Sequence, residues 1–354
     1  MDRKYKLAVV GYGGMGSYHA TVLLKDHPDI QVVGAYDVKE QRNQAAVADG
    51  FKAYDSLQAV LSDDAVDIVL IATPNDVHKQ IAVDALNAKK HVICEKPVTI
   101  TTEELKEILR AADANQRVFM VHQNRRWDQD FLTVKKIYDE NMIGDVFQIE
   151  SRVQGANGIP GDWRHEKDKG GGMLLDWGVH LLDQLLFMVD SKMTSVYANL
   201  SYVLGNEVDD GFQTVITFEN GITAIVEVGT TNFVQLPRWY VKGTEGTAVI
   251  ENWSISGKIV ARNQDAKAEA PKPIKAGQGL TKTMAPPSEK ATRTLSLPGP
   301  AVLKQSFYDN FVSVIEGKAE PIVKNEEVMR VLHLMETIFK AAETNEVIKD
   351  FDLV

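Results

Sequence analysis

A glycine-rich loop close to the start of the chain constrains the fold more than any other feature. Glycine recurs at 11, 13 and 16, directly after the apolar run 6–10, which is typical of a β-strand. Gly11 allows a tight turn off the strand, and Gly13 lets backbone amides approach a pyrophosphate. Gly16 permits close packing of a helix on the sheet, and the N-terminus of that helix favours an anion. The order of strand, glycine turn and helix predicts a dinucleotide-binding α/β unit.

An acidic residue lies where such a unit needs one. Asp37 follows the next strand-like run, 31–36, roughly 20 positions beyond Gly16. Its carboxylate can accept hydrogen bonds from the adenosine ribose hydroxyls and would repel a 2′-phosphate, which favours NAD over NADP. Lys39 and Arg42 lie nearby and would soften that preference, and an alternative role for Asp37 is to cap the following helix. The candidate cofactor contacts in this region are Gly11, Tyr12, Gly13, Gly14, Met15, Gly16 and Asp37.

Length, charge and cysteine content bound the class of protein. The 354 residues suffice for two domains of about 150 residues each. The net charge of −10 argues against a nucleic-acid partner, whose phosphates require a basic face. No apolar run approaches the ~20 residues of a membrane span, no signal peptide is evident, and the single cysteine excludes intrachain disulfides. We therefore expect a cytoplasmic protein that binds neither nucleic acid nor membranes.

The first third of the chain has the pattern of a parallel sheet covered by helices. Apolar strand-like runs alternate there with amphipathic stretches. Strands are predicted at 6–10, 31–36, 67–72, 91–94 and 117–121, and helices near 15–26, 39–49, 76–88 and 102–115. Thr101 or Thr102 can cap the last of these helices, with Glu104 completing a capping box. We expect an NAD-binding Rossmann domain over residues 1–122.

After residue 122, β-forming residues dominate. Helices near 129–141 and 172–188 accompany predicted strands at 145–154, 194–203, 211–219, 222–231, 237–243 and 246–252. Asn220-Gly221, between two of these runs, is a strong hairpin signal. We expect an α+β domain over 123–354 with a large, mainly antiparallel sheet, whose exposed face is a natural place for subunits to pack. Helices within about 302–345 are expected to pack back on the first domain.

Residues 262–300 depart from this texture. They are rich in Lys, Ala and Pro, with prolines at 271, 273, 286, 287, 298 and 300. A stretch of this length without periodicity is typical of a functional loop or of a disordered segment. We interpret it either as a long, irregular surface loop, such as a lid or an arm onto a neighbouring subunit, or as partly disordered chain.

Polar residues follow two predicted strands at the edge where doubly wound sheets bind their ligands. Thr73-Pro74-Asn75 follows 67–72, and Glu95-Lys96-Pro97 follows 91–94. Asn75 is suited to contact the ribose or the nicotinamide, or to cap the helix that begins at 76. Lys96 is suited to donate a hydrogen bond to a reacting oxygen, and the alternative is an ordinary surface lysine. The further candidate cofactor contacts are Thr73, Pro74, Asn75, His78, Glu95 and Lys96.

A carboxylate and an imidazole lie four residues apart in Asp176-Trp177-Gly178-Val179-His180. On a helix they would share one face, and an imidazole near its natural pKa can take a proton from an alcohol at neutral pH. We expect Asp176 to orient the His180 ring and to favour its charged form. The alternatives are a core histidine without function and a metal site, for which His165 and Glu166 are the nearest further ligands. Gly170-Gly171-Gly172 suits a close backbone approach at the start of this helix, and we expect no metal.

Aromatic and guanidinium groups are adjacent in Trp163-Arg164 and in Asn124-Arg125-Arg126-Trp127. Sugar faces stack on aromatic rings and charged side chains bind hydroxyls, so a polyol pocket is one interpretation. Ordinary packing and surface salt bridges are the other. The candidate substrate contacts are Lys96, Asn124, Arg126, Trp163, Arg164, Asp176 and His180.

These motifs, in this order, resemble the glucose-fructose oxidoreductase and inositol dehydrogenase family, Gfo/Idh/MocA. The resemblance spans nearly the whole chain, although 262–300 departs from the compact pattern of the family. It implies a Rossmann domain followed by a sheet domain that binds substrate and forms a homodimer or homotetramer. It also implies a nicotinamide cofactor and sugar or cyclitol substrates. It also implies catalytic roles for Lys96, Asp176 and His180. The region around Trp163-Arg164 is similar to that of members acting on pyranosides.

The resemblance leaves three functions open. The leading hypothesis is NAD-dependent oxidation or reduction of a ring secondary alcohol of a sugar, cyclitol or glycoside by hydride transfer. A second is an NAD-dependent glycosidase that acts through transient oxidation and elimination. The third is a non-catalytic NAD-binding regulator, against which the catalytic-type residues at 96, 176 and 180 argue.

Overall fold

Two sheets organise the chain in the computed structural model, which describes residues 5–266, 272–288 and 290–349. The first sheet is parallel throughout, with strand order β3-β2-β1-β4-β5-β6. Its strands are β1 (Tyr5–Val10), β2 (Ile30–Tyr36), β3 (Lys52–Ala53), β4 (Ile68–Ile71), β5 (His91–Cys94) and β6 (Phe119–Val121). Its helices are α1 (Gly14–Tyr18), α2 (Glu40–Ala48), α3 (Leu57–Leu61), α4 (His78–Asn87) and α5 (Thr102–Asn115).

The strand order of the first sheet creates a cleft for a ligand. The order reverses between β1 and β4, so the loops that follow these two strands leave in opposite directions. All four residues of β4 are buried, as expected for a strand covered on both faces. Thr101 caps α5 and forms the predicted capping box with Glu104. The Rossmann-type fold predicted from the glycine loop is confirmed.

In the described part of the chain, the second sheet has nine strands in the order β16-β13-β12-β11-β7-β10-β9-β8-β17. Only the β7–β10 pairing is parallel, and the others among the described residues are antiparallel. From residue 123 the elements are α6 (Gln129–Asp139), β7 (Val146–Gln154), α7 (Val179–Met188), β8 (Met193–Ser201), β9 (Gly211–Phe218), β10 (Thr223–Gly229), β11 (Trp239–Gly243), β12 (Gly246–Ile250), β13 (Gly257–Arg262), β14 (Ile274–Ala276), β15 (Gly279–Thr281), β16 (Thr292–Leu295), α8 (Phe307–Ile315), α9 (Asn325–Thr344) and β17 (Ile348–Lys349).

The predicted hairpin at Asn220-Gly221 is present between β9 and β10, and Gly221 takes a positive φ of 87°. One face of the second sheet is covered by helices: α9 packs against α7 and against β8. Buried residues alternate along β9 and β10, which is the pattern of strands with one face in the core. The large, mainly antiparallel sheet expected from the sequence is therefore confirmed.

The interpretation of 262–300 as an irregular loop was wrong for three short segments of its described part, which form β-strands. β14 and β15 form a separate two-stranded hairpin, and β16 pairs with β13 at the edge of the second sheet. These strands are only three or four residues long and largely exposed, so they lack the apolar alternation that marks a strand in the sequence. Residues 267–271, with Pro271, and residue 289 lie outside the described residues.

The helices α8 and α9 contact elements of the first domain. Tyr308 on α8 forms a hydrogen bond with His19, which follows α1. Glu336 on α9 accepts hydrogen bonds from the backbone amide and the hydroxyl of Thr102 at the start of α5. No helix in the described residues is long and apolar enough to cross a membrane.

Candidate active site

The glycine loop after β1 is shaped by close backbone contacts. Gly11 has a φ of +93°, and a Cβ on it would overlap the carbonyl oxygen of Ala72. A Cβ on Gly16 would overlap the carbonyl oxygen of Gly11, so the helix can approach the strand only with glycine at this position. By contrast, a Cβ on Gly13 or Gly14 would meet no protein atom within 4 Å. These two residues therefore border open space in front of the N-terminus of α1, and Met15 beside them is 38% exposed.

Asp37 closes the other side of this space. Its Oδ2 accepts a hydrogen bond from the Tyr12 amide at 2.9 Å, and its Oδ1 accepts one from the Lys39 amide at 2.9 Å. Each carboxylate oxygen keeps lone pairs for a ribose hydroxyl. The alternative role of Asp37 as the cap of α2 is wrong, because Lys39 occupies the N-cap position and no side chain caps this helix.

Two residues predicted to contact the cofactor, Tyr12 and His78, have side chains that bind other groups of the protein. The Tyr12 side chain is buried, and its hydroxyl donates to Asp49 at 2.7 Å. His78 is fully buried, and its ring nitrogens face the carbonyl oxygens of Thr73 and Pro97, each at 3.0 Å. It therefore ties together the loops after β4 and β5, and burial lowers its pKa.

The alternative role of Asn75 as a helix cap was wrong. Its side-chain amide donates to the carbonyl oxygen of Gly170 at 2.8 Å, which joins the loop after β4 to the second domain. It does not cap the following helical turn, where Pro74 is the N-cap residue.

Thr73, two residues earlier, keeps a buried Oγ1 that has no partner among the described residues. An unpaired hydroxyl at the ligand edge fits a polar group of a bound cofactor.

Glu95 is the centre of a buried hydrogen-bond cluster behind Lys96. Its Oε1 accepts from His19 Nε2 at 2.7 Å and from His122 Nδ1 at 2.8 Å, while Oε2 accepts from the Lys96 amide at 3.1 Å. Burial alone would raise the pKa of Glu95, but the two imidazoles outweigh burial and hold it well below its usual range. The carboxylate is therefore a buried anion that positions the residue next to it, and its bonded oxygens do not face a cofactor.

His19, Glu95 and His122 lie close enough together to hold a metal ion. The distances of 2.7 and 2.8 Å to one carboxylate oxygen are those of hydrogen bonds, and the Tyr308 hydroxyl engages the other nitrogen of His19. We therefore interpret the cluster as a satisfied hydrogen-bond network. The metal alternative raised around His180 gains no support, because its nearest further ligand, His165, bonds the carbonyl oxygen of Ile159 at 3.1 Å.

Lys96 and Asp176 meet across the two domains. Lys96 Nζ lies 3.2 Å from Asp176 Oδ1 and 2.9 Å from the Asp176 carbonyl oxygen. The other carboxylate oxygen, Oδ2, lies 3.1 Å from Nε of Arg164. Burial alone would raise the pKa of Asp176, but the charges of Lys96 and Arg164 outweigh burial and lower it. Asp176 is therefore an anion shared between two cations.

His180 lies on α7, one turn beyond Asp176, and is only 5% exposed. Its Nδ1 is buried without a hydrogen-bond partner in the described part of the chain. Burial lowers the pKa of His180 well below its usual value, and the charges of Lys96 and Arg125 lower it further. The expectation that Asp176 orients this ring and favours its charged form was wrong, because both carboxylate oxygens of Asp176 bind cations.

Asp209 anchors the segment that carries Asp176 and His180. Its backbone carbonyl accepts from the Met173 amide at 3.0 Å, and its Oδ2 accepts from the Leu174 amide at 2.8 Å. Gly172 has a φ of +103°, and a Cβ on it would overlap Asp209 Oδ1, so the glycine run does allow a close approach. Burial raises the pKa of Asp209 to about 7.

Two stacks of guanidinium on indole flank the Lys96–Asp176 pair. Arg164 lies 4.7 Å from the ring centre of Trp163. On the other side Arg125 lies 4.3 Å from the ring centre of Trp177, whose centre is 5.9 Å from that of His180. The faces and donors that a hydroxylated ring requires thus lie close to the candidate catalytic groups.

The prediction that Arg126 contacts the substrate was wrong. Its side chain is buried and forms two hydrogen bonds with the Asp183 carboxylate, at 2.6 and 2.9 Å. It also donates to Glu327 at 2.5 Å. The neighbouring Arg125 is the residue that faces the site. The sequence could not distinguish Arg125 from Arg126, because both arginines belong to one short helical turn, Asn124–Trp127. Asn124 in the same turn is half-buried.

Sequence reasoning also missed Trp177, Trp253 and Asp209. Trp177 lies between Asp176 and His180 in the sequence, and this position was the one available signal for its role. Trp253 and Asp209 lie far away along the chain, in loops beyond β12 and β8. Only the pairing of the second sheet brings them to the site.

Comparison with known proteins agrees with this geometry. Residues 5–123 match the family model of the GFO/IDH/MocA oxidoreductases with an NAD-binding Rossmann fold, and 131–249 match the C-terminal domain model of the same family. The crystal structure of an NAD-binding protein from Listeria innocua has a TM-score of 0.96 and 62% identity, covering 98% of this chain and 100% of that chain.

Two curated relatives extend the comparison. An uncharacterised oxidoreductase of Schizosaccharomyces pombe is 31% identical over 68% of this chain and 69% of its own length. The scyllo-inositol 2-dehydrogenase (NADP+) IolW of Bacillus subtilis is 27% identical, covering 97% of this chain and 95% of its own. The fold, the glycine loop and these relatives define an NAD-binding oxidoreductase. The chain belongs to the Gfo/Idh/MocA family.

Proposed function

We propose that this protein catalyses the reversible oxidation of a ring secondary alcohol in a sugar, a cyclitol or a glycoside, with NAD as the preferred cofactor. The observation that carries the proposal is the contact of 3.2 Å between the Lys96 ammonium and the Asp176 carboxylate, with the buried His180 imidazole one helical turn further along the chain. A relative that is named as an inositol dehydrogenase and matches almost the whole chain supports the substrate class.

Lys96 is placed to stabilise charge on the reacting oxygen. An ammonium has three N–H donors, and Asp176 accepts two of them through its carbonyl and carboxylate oxygens. The third donor remains for the substrate hydroxyl, and it stabilises negative charge as the proton leaves. Asp176 and Arg164 fix the position of the ammonium, so little reorganisation is needed during the reaction.

His180 is placed to accept the alcohol proton. Its lowered pKa keeps the imidazole neutral at pH 7, which is the form that a general base requires. Since Nδ1 is buried, we assign Nε2 as the nitrogen that receives the proton. The positive charge that then forms lies near Lys96, so it favours rapid release of the proton to solvent.

The cofactor site of this proposal lies along the glycine loop. Gly13 and Gly14 border the open space for the pyrophosphate, the Asp37 carboxylate meets the ribose hydroxyls, and the unpaired Thr73 hydroxyl lies further along the edge. Bound NAD supplies the hydride acceptor of the reaction. Exclusion of the 2′-phosphate by Asp37 favours NAD, whereas the Bacillus subtilis relative is named for NADP.

The test is a substrate screen with purified protein and NAD. Cyclitols, free sugars and glycosides are each supplied in excess, and NADH formation is followed by absorbance. NADH formation with at least one ring polyol is the expected result, and its absence across the whole panel would overturn the proposal. Release of an aglycone without NADH would support the NAD-dependent glycosidase instead. The His180→Ala variant controls for contaminating dehydrogenases, because it should bind NAD and lack turnover.

A further inference from the structure

Trp253 is an exposed aromatic side chain beside the candidate active site. It lies in the loop after β12 and is 50% exposed, which is unusual for an indole. Its ring centre is 6.1 Å from that of Trp177, which in turn is 5.9 Å from that of His180. The three rings therefore form a continuous path from the candidate base toward solvent.

Two arginines make this path a rigid surface. Arg125 lies between the two indoles, 4.3 Å from the ring centre of Trp177 and 5.4 Å from that of Trp253. Arg238 supports Trp253 at 4.9 Å and is itself held by hydrogen bonds to Ser151 and Gln184. A side chain held in this way loses little conformational entropy when a ligand stacks on it.

The charges along this surface are paired. Arg125 is 2.8 Å from Asp128, and Arg238 is 3.2 Å from Asp130. The paired arginines therefore leave no excess positive charge for an anionic group. A flat aromatic face with nearby N–H donors suits the apolar face and the hydroxyls of a neutral sugar ring, or an aromatic aglycone.

We propose that Trp253, with Trp177 and Arg125, forms an outer subsite for the second ring of the substrate, and that the substrate is a glycoside or disaccharide. The inference rests on the proposed function, since it assumes that the first ring lies at Lys96 and His180. The geometry supports it, because the Trp253 ring centre lies 6.1 Å beyond that of Trp177 and its plane is tilted by 45°, which gives a second sugar ring a stacking face of its own. A single cyclitol would leave Trp253 uncovered.

The test compares one-ring and two-ring ligands by calorimetric titration of the protein loaded with NADH, which cannot accept a hydride, so that the ligand binds without being oxidised. The one-ring probes are myo-inositol and glucose, and the two-ring probes are cellobiose, maltose and 4-nitrophenyl glucoside. Trp253→Ala should weaken binding of the preferred two-ring probe about tenfold and change one-ring binding less than twofold, whereas Trp253→Phe should retain most of the affinity. Phe147→Ala is the matched control, since Phe147 is 45% exposed and lies at the opposite end of the strands.

Two results would overturn the subsite. One is equal weakening of both ligand classes in Trp253→Ala, and the other is wild-type protein that binds no two-ring probe more tightly than the one-ring probes. Because binding is measured without turnover, the proposed function is tested separately. Trp253-dependent binding of a two-ring probe, together with no NADH formation across the whole substrate panel, would retain the subsite and reject the dehydrogenase.

Discussion

Lys96 Nζ lies 3.2 Å from Asp176 Oδ1 and 2.9 Å from the carbonyl oxygen of the same residue. This double contact joins the end of β5 in the first domain to the segment that leads into α7 in the second. Because one residue supplies both acceptors, the ammonium is fixed in position and in direction. Its remaining donor is what the proposed chemistry depends on.

Lys96→Met should reduce kcat by roughly 10²–10³-fold, because the substrate oxygen loses its charged hydrogen-bond donor. The reduction should appear in kcat more than in the KM for NAD, since Lys96 binds Asp176 and not the glycine loop. Steady-state kinetics with the best substrate of the screen measures both parameters. Lys169→Met, at a surface lysine paired with Glu166, is the control and should keep normal turnover. A Lys96→Met enzyme with wild-type kcat would remove the ammonium from the mechanism.

His180→Gln should reduce kcat by roughly 10²–10⁴-fold, the usual contribution of a general base, and leave NAD binding intact. Glutamine fills a similar volume but does not accept the proton. The pKa of His180 is lowered, so the wild-type imidazole is already neutral at pH 7, and raising the pH should not restore the variant. Fluorescence titration with NADH checks cofactor binding, and stopped-flow kinetics checks hydride transfer. Turnover within threefold of wild type would contradict the assignment.

Asp209→Asn should remove a pH dependence of stability. The pKa of Asp209 is raised from 3.8 to about 7, so the folded state binds this proton more tightly than the unfolded chain. The stabilisation is complete below pH 3.8 and is lost as the pH rises through about 7. The Tm of the variant minus that of wild type should therefore increase between pH 5 and pH 8. Thermal unfolding at both pH values measures it, with Asp168→Asn at an exposed carboxyl group as control; an unchanged difference would refute the account.

Arg126→Met should mainly lower stability and Arg125→Met should mainly weaken substrate binding, although the two residues are adjacent. Loss of Arg126 leaves Asp183 buried without its cation, which should cost on the order of 3–5 kcal/mol of unfolding free energy. Loss of Arg125 removes the surface over Trp177 and should mainly raise the KM for substrate. Urea unfolding and kinetics on both variants give the comparison. If Arg126→Met were as stable as wild type but raised KM, our exclusion of Arg126 from the substrate site would be wrong.

Asp37→Ser should raise kcat/KM for NADP at least about tenfold by removing the repulsion of the 2′-phosphate. Lys39 and Arg42 lie close in sequence to receive the phosphate. The efficiency with NAD should fall, because the ribose hydroxyls lose their acceptor. Asp55→Ser, at an exposed carboxyl group on the same domain, controls for net charge. An unaltered ratio of the two efficiencies would show that Asp37 does not select the cofactor.

Much of the fold was predictable because it depends on local patterns. The glycine positions, the apolar runs and the Asn220-Gly221 turn each act within a few residues, and each predicted its element correctly. The short edge strands β3, β16 and β17 were missed, since two to four residues carry no usable periodicity. The same limit explains why 262–300 resembled a loop.

The site was less predictable because its partners are distant in sequence. Residue type and position were enough to predict Lys96 and His180 as site residues. The four-residue spacing of Asp176 and His180, however, wrongly predicted that the Asp176 carboxylate binds the His180 ring. The carboxylate binds Lys96, 80 residues away, and Arg164 in a separate loop. Asn75 likewise reaches Gly170 across the domains, a contact that no local pattern encodes.

The return of α8 and α9 to the first sheet limits how this protein can be engineered. Tyr308 engages the His19–Glu95 cluster directly behind Lys96, and Glu336 binds the start of α5. The nucleotide-binding half thus depends on segments supplied from the far end of the chain. A hybrid enzyme that exchanges residues 1–122 for those of a relative must therefore exchange these two helices with them, or the transplanted half will lose the partners of its buried polar groups.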